Sequence, residues 1–385
     1  MTIKNVRLGV VGIGGMAGLH LGNLSKTKNV ELVAVCDVVK DRAEAAAATY
    51  KCAAFTDHKA LLKAKICDAV LIVTPHYAHT TIGIDALKAG LHVLVEKPIS
   101  VHKADCERLI AAHQKKGQIF AAMFNQRTDP HYRKIKEMLK RGDLGKLDRI
   151  TWVITNWFRT ESYYASGGWR ATWAGEGGGV LLNQCPHNLD LWQWLFGMPD
   201  RVRGFCSIGR KHNIEVEDEV TAHLGYNNGC TGVFITSTGE APGVNRLEIA
   251  GEHGRLTLED NELRFIRTEV SVSDFLRDSP EKFGTPPVWN VQIPVTGNGG
   301  QHAEVLQNFI DAIVSGTPLI APAKEGIKSV ELGNAMLYSS EIGKTVEMPL
   351  SGAAYERMLK KKIKESRFVK VTREVAQQDM SKSVK

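Results

Sequence analysis

The feature that most constrains the fold is the strict alternation of short apolar runs with helical stretches over the first 125 residues. Short runs rich in β-branched residues and bounded by glycine or proline favour buried strands. Strands alternating with helices at this spacing pack as a doubly wound parallel sheet covered on both faces, so residues 1–125 form a first domain of the α/β class. The predicted strands are 6–11, 31–37, 53–55, 68–75, 92–95 and 118–124. The first predicted helix ends at residue 25, and the other four span 41–50, 59–65, 79–89 and 103–116.

The first strand runs into a glycine-rich turn that matches a dinucleotide-binding fingerprint. Gly12 would make the turn, Gly14 would let the backbone approach a pyrophosphate, and Ala17 would allow close packing of helix on strand. The second strand ends at Asp37, where a carboxylate can bind the ribose hydroxyls of NAD and repel the extra phosphate of NADP. Two basic residues shortly after it leave NADP as the alternative. The sequence therefore predicts a nicotinamide dinucleotide site, with NAD preferred.

The carboxyl ends of the fourth and fifth strands place further polar groups at the ligand-binding rim of the sheet. His76 and His79 follow the fourth strand, and Lys97 follows the fifth, before Pro98. The proline restricts the lysine to extended backbone angles and so fixes its direction. The alternatives are a surface lysine and two structural histidines at a helix start.

After Asp129-Pro130 the pattern changes to alternating runs separated by turn signals, as is typical of an antiparallel sheet. The predicted strands are 149–158, 201–208, 219–226, 230–238, 246–250, 255–259 and 263–270, and the predicted helices are 132–139, 303–314 and 324–340. Residues 126–350 are thus a second domain of the α+β class with a large open sheet. Residues 351–385 are assigned to a basic C-terminal tail.

A glycine-rich run between these strands leads into a helix, which the apolar stripe from Leu189 to Phe196 indicates. Asn183, His187 and Asp190 would share one face of that helix. Proline is tolerated only in a first helical turn, so with Pro186 in that turn the alternative role of Asn183 is the N-cap of the helix. The alternative role of His187 is that of a buried core histidine.

Upstream of this helix, residues 163–173 are rich in groups that bind sugars. Aromatic faces pack on the C–H faces of a polyol ring, and arginine donates several hydrogen bonds from one plane. Trp169 and Arg170 are therefore predicted to bind the substrate. The alternative is a mobile aromatic loop that packs across the domain interface.

The formal net charge of +7 is concentrated at the C-terminus, since residues 356–385 contain ten Lys or Arg and four Asp or Glu. We interpret this segment as a solvated end, and predict neither a nucleic-acid nor a membrane partner. The seven cysteines form no Cys-x-x-Cys pair, so no metal site is predicted. The start of the chain has no apolar stretch long enough for a signal peptide, and the cytoplasm is the expected location.

Together these motifs resemble the Gfo/Idh/MocA family, whose type members are glucose-fructose oxidoreductase and inositol dehydrogenase. The resemblance covers roughly residues 5–350 and includes a Rossmann domain followed by an antiparallel-sheet domain. It implies an NAD(P)-dependent oxidoreductase that acts on CH–OH groups, assembled as a homodimer or homotetramer through the second sheet. It implies cofactor contacts from Gly12, Ile13, Gly14, Gly15, Met16, Ala17, Asp37, Thr74, Pro75, His79, Glu96 and Lys97.

The resemblance also implies that Lys97 and His187 are the catalytic pair, with Asn183 as a third catalytic residue. Asn183 and His187 are expected to join Trp169 and Arg170 in the substrate site. Many relatives have an aspartate where this chain has Asn183, which can orient His187 but cannot offset an imidazolium charge. The expected activity is oxidation of a secondary hydroxyl of a cyclic polyol, sugar or glycoside, with Lys97 on the reacting oxygen and His187 as the base. The alternatives are an NAD-dependent glycoside-cleaving enzyme, which oxidises transiently and eliminates, and a non-catalytic sugar or nucleotide sensor.

Overall fold

The computed structural model describes residues 4–373 and contains two β-sheets with helices packed on them. The first sheet has six strands in the order β3-β2-β1-β4-β5-β6, and every neighbouring pair is parallel. Its strands are β1 (Val6–Val11), β2 (Val30–Cys36), β3 (Ala53–Phe55), β4 (Ala69–Ile72), β5 (His92–Val95) and β6 (Phe120–Ala122). The predicted doubly wound sheet is confirmed.

The helices between these strands begin where the sequence supplies a cap. Asp57 accepts a hydrogen bond from the Lys59 backbone N–H, and thus caps the third helix. The fourth helix begins at His76 rather than at the predicted residue 79, because Pro75 occupies its N-cap. The five helices are α1 (Gly15–Leu24), α2 (Lys40–Tyr50), α3 (His58–Ala64), α4 (His76–Lys88) and α5 (Lys103–Ala111).

The second sheet has nine strands in the order β14-β13-β12-β11-β7-β10-β9-β8-β15. It is not fully antiparallel as expected, because the long connection after β7 brings β10 beside it in the same direction. The two outer strands β14 and β15 were not predicted. The strands are β7 (Leu147–Ile154), β8 (Arg201–Ile208), β9 (Glu217–Gly225), β10 (Thr231–Ser237), β11 (Asn245–Gly251), β12 (Gly254–Glu259), β13 (Glu262–Thr268), β14 (Val288–Ile293) and β15 (Val346–Glu347).

Helices cover one face of this second sheet. The fully buried rings of Trp152 in β7 and Trp192 in the helix over it stack with centroids 6.4 Å apart. This pair closes the core of the second domain, since aromatic side chains bury the largest apolar areas. The remaining helices are α6 (Pro130–Arg141), α7 (Glu161–Ala165), α8 (Pro186–Phe196), α9 (Val272–Asp278), α10 (Gln301–Ser315), α11 (Gly326–Ile342) and α12 (Gly352–Glu365).

Two late segments differ from the sequence-based assignment. Helix α10, which was assigned to the second domain, packs Val305 and Phe309 against the core of the first sheet. Residues 352–365, which were interpreted as part of a solvated tail, form helix α12 with Tyr355 and Leu359 buried in the second core. The helix has charged residues on one face and apolar residues on the other, so it is amphipathic as well as basic. The end of the tail, 374–385, lies outside the described residues.

The two domains are joined by buried ion pairs. Arg127, in the short 3-10 turn Asn125–Thr128 that follows β6, donates two hydrogen bonds of 2.7 Å to Asp190 of α8, and both side chains are almost completely buried. Lys103 of α5 likewise contacts Glu331 of α11 at 2.8 Å. Breaking a buried pair leaves an uncompensated charge, so these contacts fix how the two domains face each other.

Candidate active site

The glycine-rich turn between β1 and α1 has the geometry of a phosphate-binding loop. Gly12 has φ +97°, and a Cβ there would lie 2.6 Å from the carbonyl oxygen of Val73, so only glycine fits. A Cβ on Gly14 or Gly15 would instead meet no atom of the described residues within 4 Å, so the backbone is open to a ligand there. Helix α1 begins at Gly15 and directs its first N–H groups toward this space. The residues present therefore fit a dinucleotide pyrophosphate.

Asp37 lies immediately after β2 and beside this turn. Its carboxylate accepts hydrogen bonds of 2.8 Å from the backbone N–H groups of Ile13 and Val39, and its side chain is largely buried. The carboxylate thus ties the turn to the end of β2, in the position from which it can also reach a ribose. The structure brings together these predicted cofactor residues.

Lys97 follows β5 and extends toward the second domain, where its Nζ donates a 3.0 Å hydrogen bond to the carbonyl oxygen of Asn183. Burial lowers the pKa of Lys97 below its usual value, and the nearby carboxylates of Glu96 and Glu176 only partly oppose this. A lysine with a lowered pKa exchanges its proton more readily near neutral pH.

Glu96 supports Lys97 from behind. One carboxylate oxygen contacts Nε2 of His20 in α1 at 2.7 Å, and the other accepts the backbone N–H of Lys97 at 3.0 Å. Burial raises the pKa of Glu96, but the hydrogen bond and charge of His20 outweigh it and the net pKa falls well below its usual range. Glu96 therefore orients the lysine backbone, and its predicted cofactor contact stays a prediction.

His187 lies in the first turn of α8, directly after Pro186. Its side chain is buried, and its Nδ1 has no hydrogen-bond partner within residues 4–373. Burial lowers the pKa of His187 well below its usual value, and the charges of Lys97 and His302 lower it further. The imidazole is therefore neutral at neutral pH and can accept a proton.

Asn183 is not the N-cap of α8, because the helix begins three residues later with Cys185 at the N-cap. Its Oδ1 instead accepts a 3.0 Å hydrogen bond from the Tyr163 hydroxyl, and its Nδ2 donates to Glu176. Arg170 donates a 2.9 Å hydrogen bond to the same tyrosine hydroxyl. Glu176, Asn183, Tyr163 and Arg170 thus form one continuous network beside Lys97, which we call the loop network.

The two histidines after β4 have different surroundings. His79 is fully buried, with its two ring nitrogens 2.8 Å and 2.7 Å from the carbonyl oxygens of Pro98 and Thr74. Its side chain joins two rim loops through these contacts, and the predicted cofactor contact of His79 stays a prediction. His76 packs with its ring 5.4 Å from that of Trp169 and faces the loop network.

Sequence reasoning missed Glu176, Tyr163 and His302 as members of this site. Glu176 was visible in the glycine-rich run, where a single acid among five residues could have been noted. Tyr163 had been placed in the aromatic loop without a role of its own. His302 lies near Lys97 only because α10 returns to the first domain, and burial lowers its pKa to about 4.

Residues 4–373 contain no group of three or more His, Cys, Asp or Glu side chains placed to hold a metal ion. Within the same part of the chain, no helix is both long enough and apolar enough to cross a membrane.

The fold and site define a Rossmann-type dinucleotide-binding domain closed by a mixed-sheet domain. A family model described as "Oxidoreductase family, NAD-binding Rossmann fold" matches residues 6–124, and one described as the GFO/IDH/MocA C-terminal domain matches residues 132–257. Between them the two models match most of both domains. The chain therefore belongs to the Gfo/Idh/MocA family of oxidoreductases, whose cofactor is NAD.

Individual relatives agree with this membership. The chain is 38% identical to inositol 2-dehydrogenase of Salmonella typhimurium over 150 residues, which are 38% of this chain and 44% of that protein. The match thus spans less than half of that relative's length. Myo-inositol 2-dehydrogenase of Thermotoga maritima is 25% identical over 89% of this chain and 98% of its own. The crystal structure of WlbA dehydrogenase from Chromobacterium violaceum, with NADH and UDP-GlcNAcA, has a TM-score of 0.78 at 26% identity and covers 91% of this chain and 98% of that chain.

Proposed function

We propose that this protein oxidises a secondary hydroxyl of a sugar or cyclic polyol with NAD. The observation that carries the proposal is the meeting of Lys97, at the end of β5, with the segment from Asn183 to His187 of the second domain, beside the dinucleotide turn. Ligands of open parallel sheets bind at this edge. The names of the relatives, two inositol dehydrogenases and a dehydrogenase solved with a sugar nucleotide, support a polyol or sugar substrate.

The two side chains divide the proton chemistry of this reaction. The nicotinamide, when bound, supplies the hydride acceptor. Lys97, as an ammonium, donates a hydrogen bond to the substrate oxygen and so holds the carbinol carbon in place. His187, kept neutral by burial, accepts the hydroxyl proton as the carbonyl forms. The proton thus goes to a ring nitrogen of His187, and the carbinol carbon gives up its hydride.

Trp169 and Arg170 are proposed to bind the sugar. The guanidinium of Arg170 lies over the rings of Tyr163 and Trp169, 4.7 Å from each centroid. This stack gives a planar donor beside an aromatic face, the combination that binds hydroxyl groups and C–H faces together.

The test of this function is a panel of inositols, aldoses and glycosides, each incubated with NAD or NADP and followed by the absorbance of the reduced nicotinamide. We expect reduction of NAD with at least one cyclic polyol or sugar. Release of a free sugar without net NADH would instead favour the glycoside-cleaving alternative. Binding of sugars with no turnover and no cleavage would favour the sensor.

Assembly and location are also proposals. The face of the second sheet opposite its helices exposes Phe205 of β8, since its neighbour Gly204 packs on Met336 of α11, and an exposed apolar side chain on an open sheet favours association. We expect a homodimer or homotetramer through this face, to be measured by light scattering after size exclusion. The seven cysteines are free, which suits the reducing cytoplasm.

A further inference from the structure

We propose that Glu176 is a positioning residue for this reaction, which sets the orientation of the Asn183 amide and the charge around Lys97. The inference rests on the proposed function and deepens it. Glu176 lies in the glycine-rich run before α8, and its side chain is only 1% exposed. A buried carboxylate is costly unless its oxygens are satisfied, so its retention at this position requires a specific role.

Both oxygens of Glu176 are engaged. Oε2 accepts a 2.7 Å hydrogen bond from the backbone N–H of Ala171, and Oε1 accepts a hydrogen bond from Nδ2 of Asn183. Because Nδ2 is held by the carboxylate, Oδ1 of Asn183 must face the Tyr163 hydroxyl at 3.0 Å and Nε2 of Gln184 at 3.1 Å. The carboxylate therefore decides which way the amide points.

The orientation of the Asn183 amide determines its contacts with the residues proposed to bind the sugar and to react. The Tyr163 hydroxyl donates to Oδ1 of Asn183, and it also accepts a hydrogen bond from Arg170. Lys97 binds the backbone carbonyl of the same asparagine. An amide turned the other way would place two donors together at Tyr163 and two acceptors together at Glu176. One buried acid thus orders both the sugar-binding side and the lysine side of the site.

Glu176 also acts by charge. It raises the pKa of Lys97, which burial lowers, and Lys97 and Arg170 in turn oppose the rise that burial causes in the pKa of Glu176. The other anion that faces Lys97 is Glu96. Two cations, Arg159 and Arg170, and the imidazoles of His76, His79, His187 and His302 face it as well, with the thiol of Cys185. Glu176→Gln leaves all of these in place, so a changed titration of Lys97 reports the charge of Glu176.

The experiment compares Glu176→Gln, Glu176→Asp and a matched control, Glu161→Gln, which removes an exposed acid at the start of α7. The titration of Lys97 is measured in each protein as the pH dependence of its reductive methylation, followed by mass spectrometry, and kcat, KM and the NADH dissociation constant are measured beside it. In Glu176→Gln we expect the Lys97 pKa to fall by about one pH unit, the change typical of losing a nearby opposite charge.

The kinetic constants should separate the two roles of Glu176, which are to orient the Asn183 amide and to supply charge near Lys97. We expect kcat to fall about 10- to 100-fold in Glu176→Gln, with NADH affinity within about twofold of wild type, because a glutamine has a single acceptor oxygen and cannot accept from both Ala171 and Asn183. Glu176→Asp keeps the charge but is one methylene shorter, so its Lys97 pKa should stay near wild type while kcat is reduced. An unchanged Lys97 titration in Glu176→Gln would overturn the inference, even if the rate fell. If wild type itself showed no dehydrogenase activity, the proposed function would fail, while the methylation data would still decide the role of Glu176.

Discussion

The two sides of the cleft are built in different ways. On the first-domain side, the glycine turn, Asp37 and Lys97 are placed by the ends of parallel strands, and backbone hydrogen bonds of the sheet fix them. On the second-domain side, Asn183 and Arg170 lie on irregular loops, and side-chain contacts of the loop network fix them.

The difference has a consequence for what each side tolerates. A strand end keeps its direction when one side chain changes, because the neighbouring strands hold it. A loop held by side chains loses its geometry when a single donor or acceptor is removed, since buried polar networks depend on every member. Substitutions on the first side should therefore remove one chemical role each, whereas those on the second should change several properties together.

The largest expected effect belongs to the residues that meet across the cleft. Lys97→Ala and His187→Ala should each reduce kcat about 10³-fold, the middle of the range for a proton-transfer group, while NADH affinity stays near wild type. Lys88→Ala and His223→Ala, which remove an exposed lysine and an exposed histidine, serve as matched controls. Steady-state kinetics and NADH fluorescence measure both quantities. Wild-type turnover in either active-site variant would contradict the assignment.

The next largest effect is on the free energy of unfolding, and it comes from a residue on the second-domain side of the cleft. Glu217 of β9 is fully buried, its Oε1 accepts the backbone N–H groups of Gly179 and Leu181, and burial raises its pKa to about 7. The folded protein therefore keeps this proton up to about pH 7, whereas the unfolded chain loses it near the usual glutamate pKa of 4.5. The folded state binds more protons in that window, so this group's contribution to stability falls as the pH rises from about 4.5 to 7.

Glu217→Gln removes that dependence. Relative to wild type, the variant should gain about 2.5 kcal/mol of unfolding free energy between pH 5 and pH 8, since about 1.8 of the pH units that separate the two pKa values take effect in this interval, at about 1.4 kcal/mol each. Urea unfolding at the two pH values measures it, and Glu262→Gln, an exposed acid in β13, is the control. A difference between variant and wild type that is the same at both pH values would contradict the prediction.

How far the sequence predicts each side follows the same division. The order of strands, the glycine turn and the position of Lys97 depend on local patterns, and the structure confirms the predicted sheet. Glu176 stands out in the sequence as the acid within the glycine-rich run, but its contact with Asn183 could not be read from the sequence, because that contact depends on how an irregular loop folds back. The packing of α10 on the first sheet was missed for the same reason, since it joins segments far apart in the chain.

A smaller effect, on cofactor preference, is expected for Asp37 on the first-domain side of the cleft. Asp37→Ser should lower kcat/KM with NAD about 10- to 100-fold, because a carboxylate hydrogen bond to a ribose is lost, and should lower it much less with NADP. The control is Asp41→Ser, an exposed acid in the first turn of α2. Initial rates with both cofactors give the ratio. Wild-type efficiency that is equal or better with NADP would contradict the role assigned to Asp37.

The smallest effect concerns the segment after α12, which reaches back to the second side. Nζ of Lys370 donates a 2.7 Å hydrogen bond to the carbonyl oxygen of Tyr164, and the backbone N–H of Arg373 donates one of 3.0 Å to that of Ala165. These contacts hold the short helix α7, which carries Tyr163 of the loop network. Lys370→Met removes one of two such bonds, so the loop is loosened and not released.

We expect Lys370→Met to raise KM for the sugar two- to fivefold, in line with about 0.5–1 kcal/mol for one hydrogen bond, and to leave kcat and NADH affinity unchanged. Lys361→Met, an exposed lysine of α12, is the matched control. A similar rise of KM in Lys361→Met would show that the loss of a positive charge raises KM, and not the loss of this hydrogen bond. A fall in kcat in Lys370→Met alone would show that this segment acts on Lys97 through the loop network, and would place the C-terminal segment among the parts that fix the reacting groups.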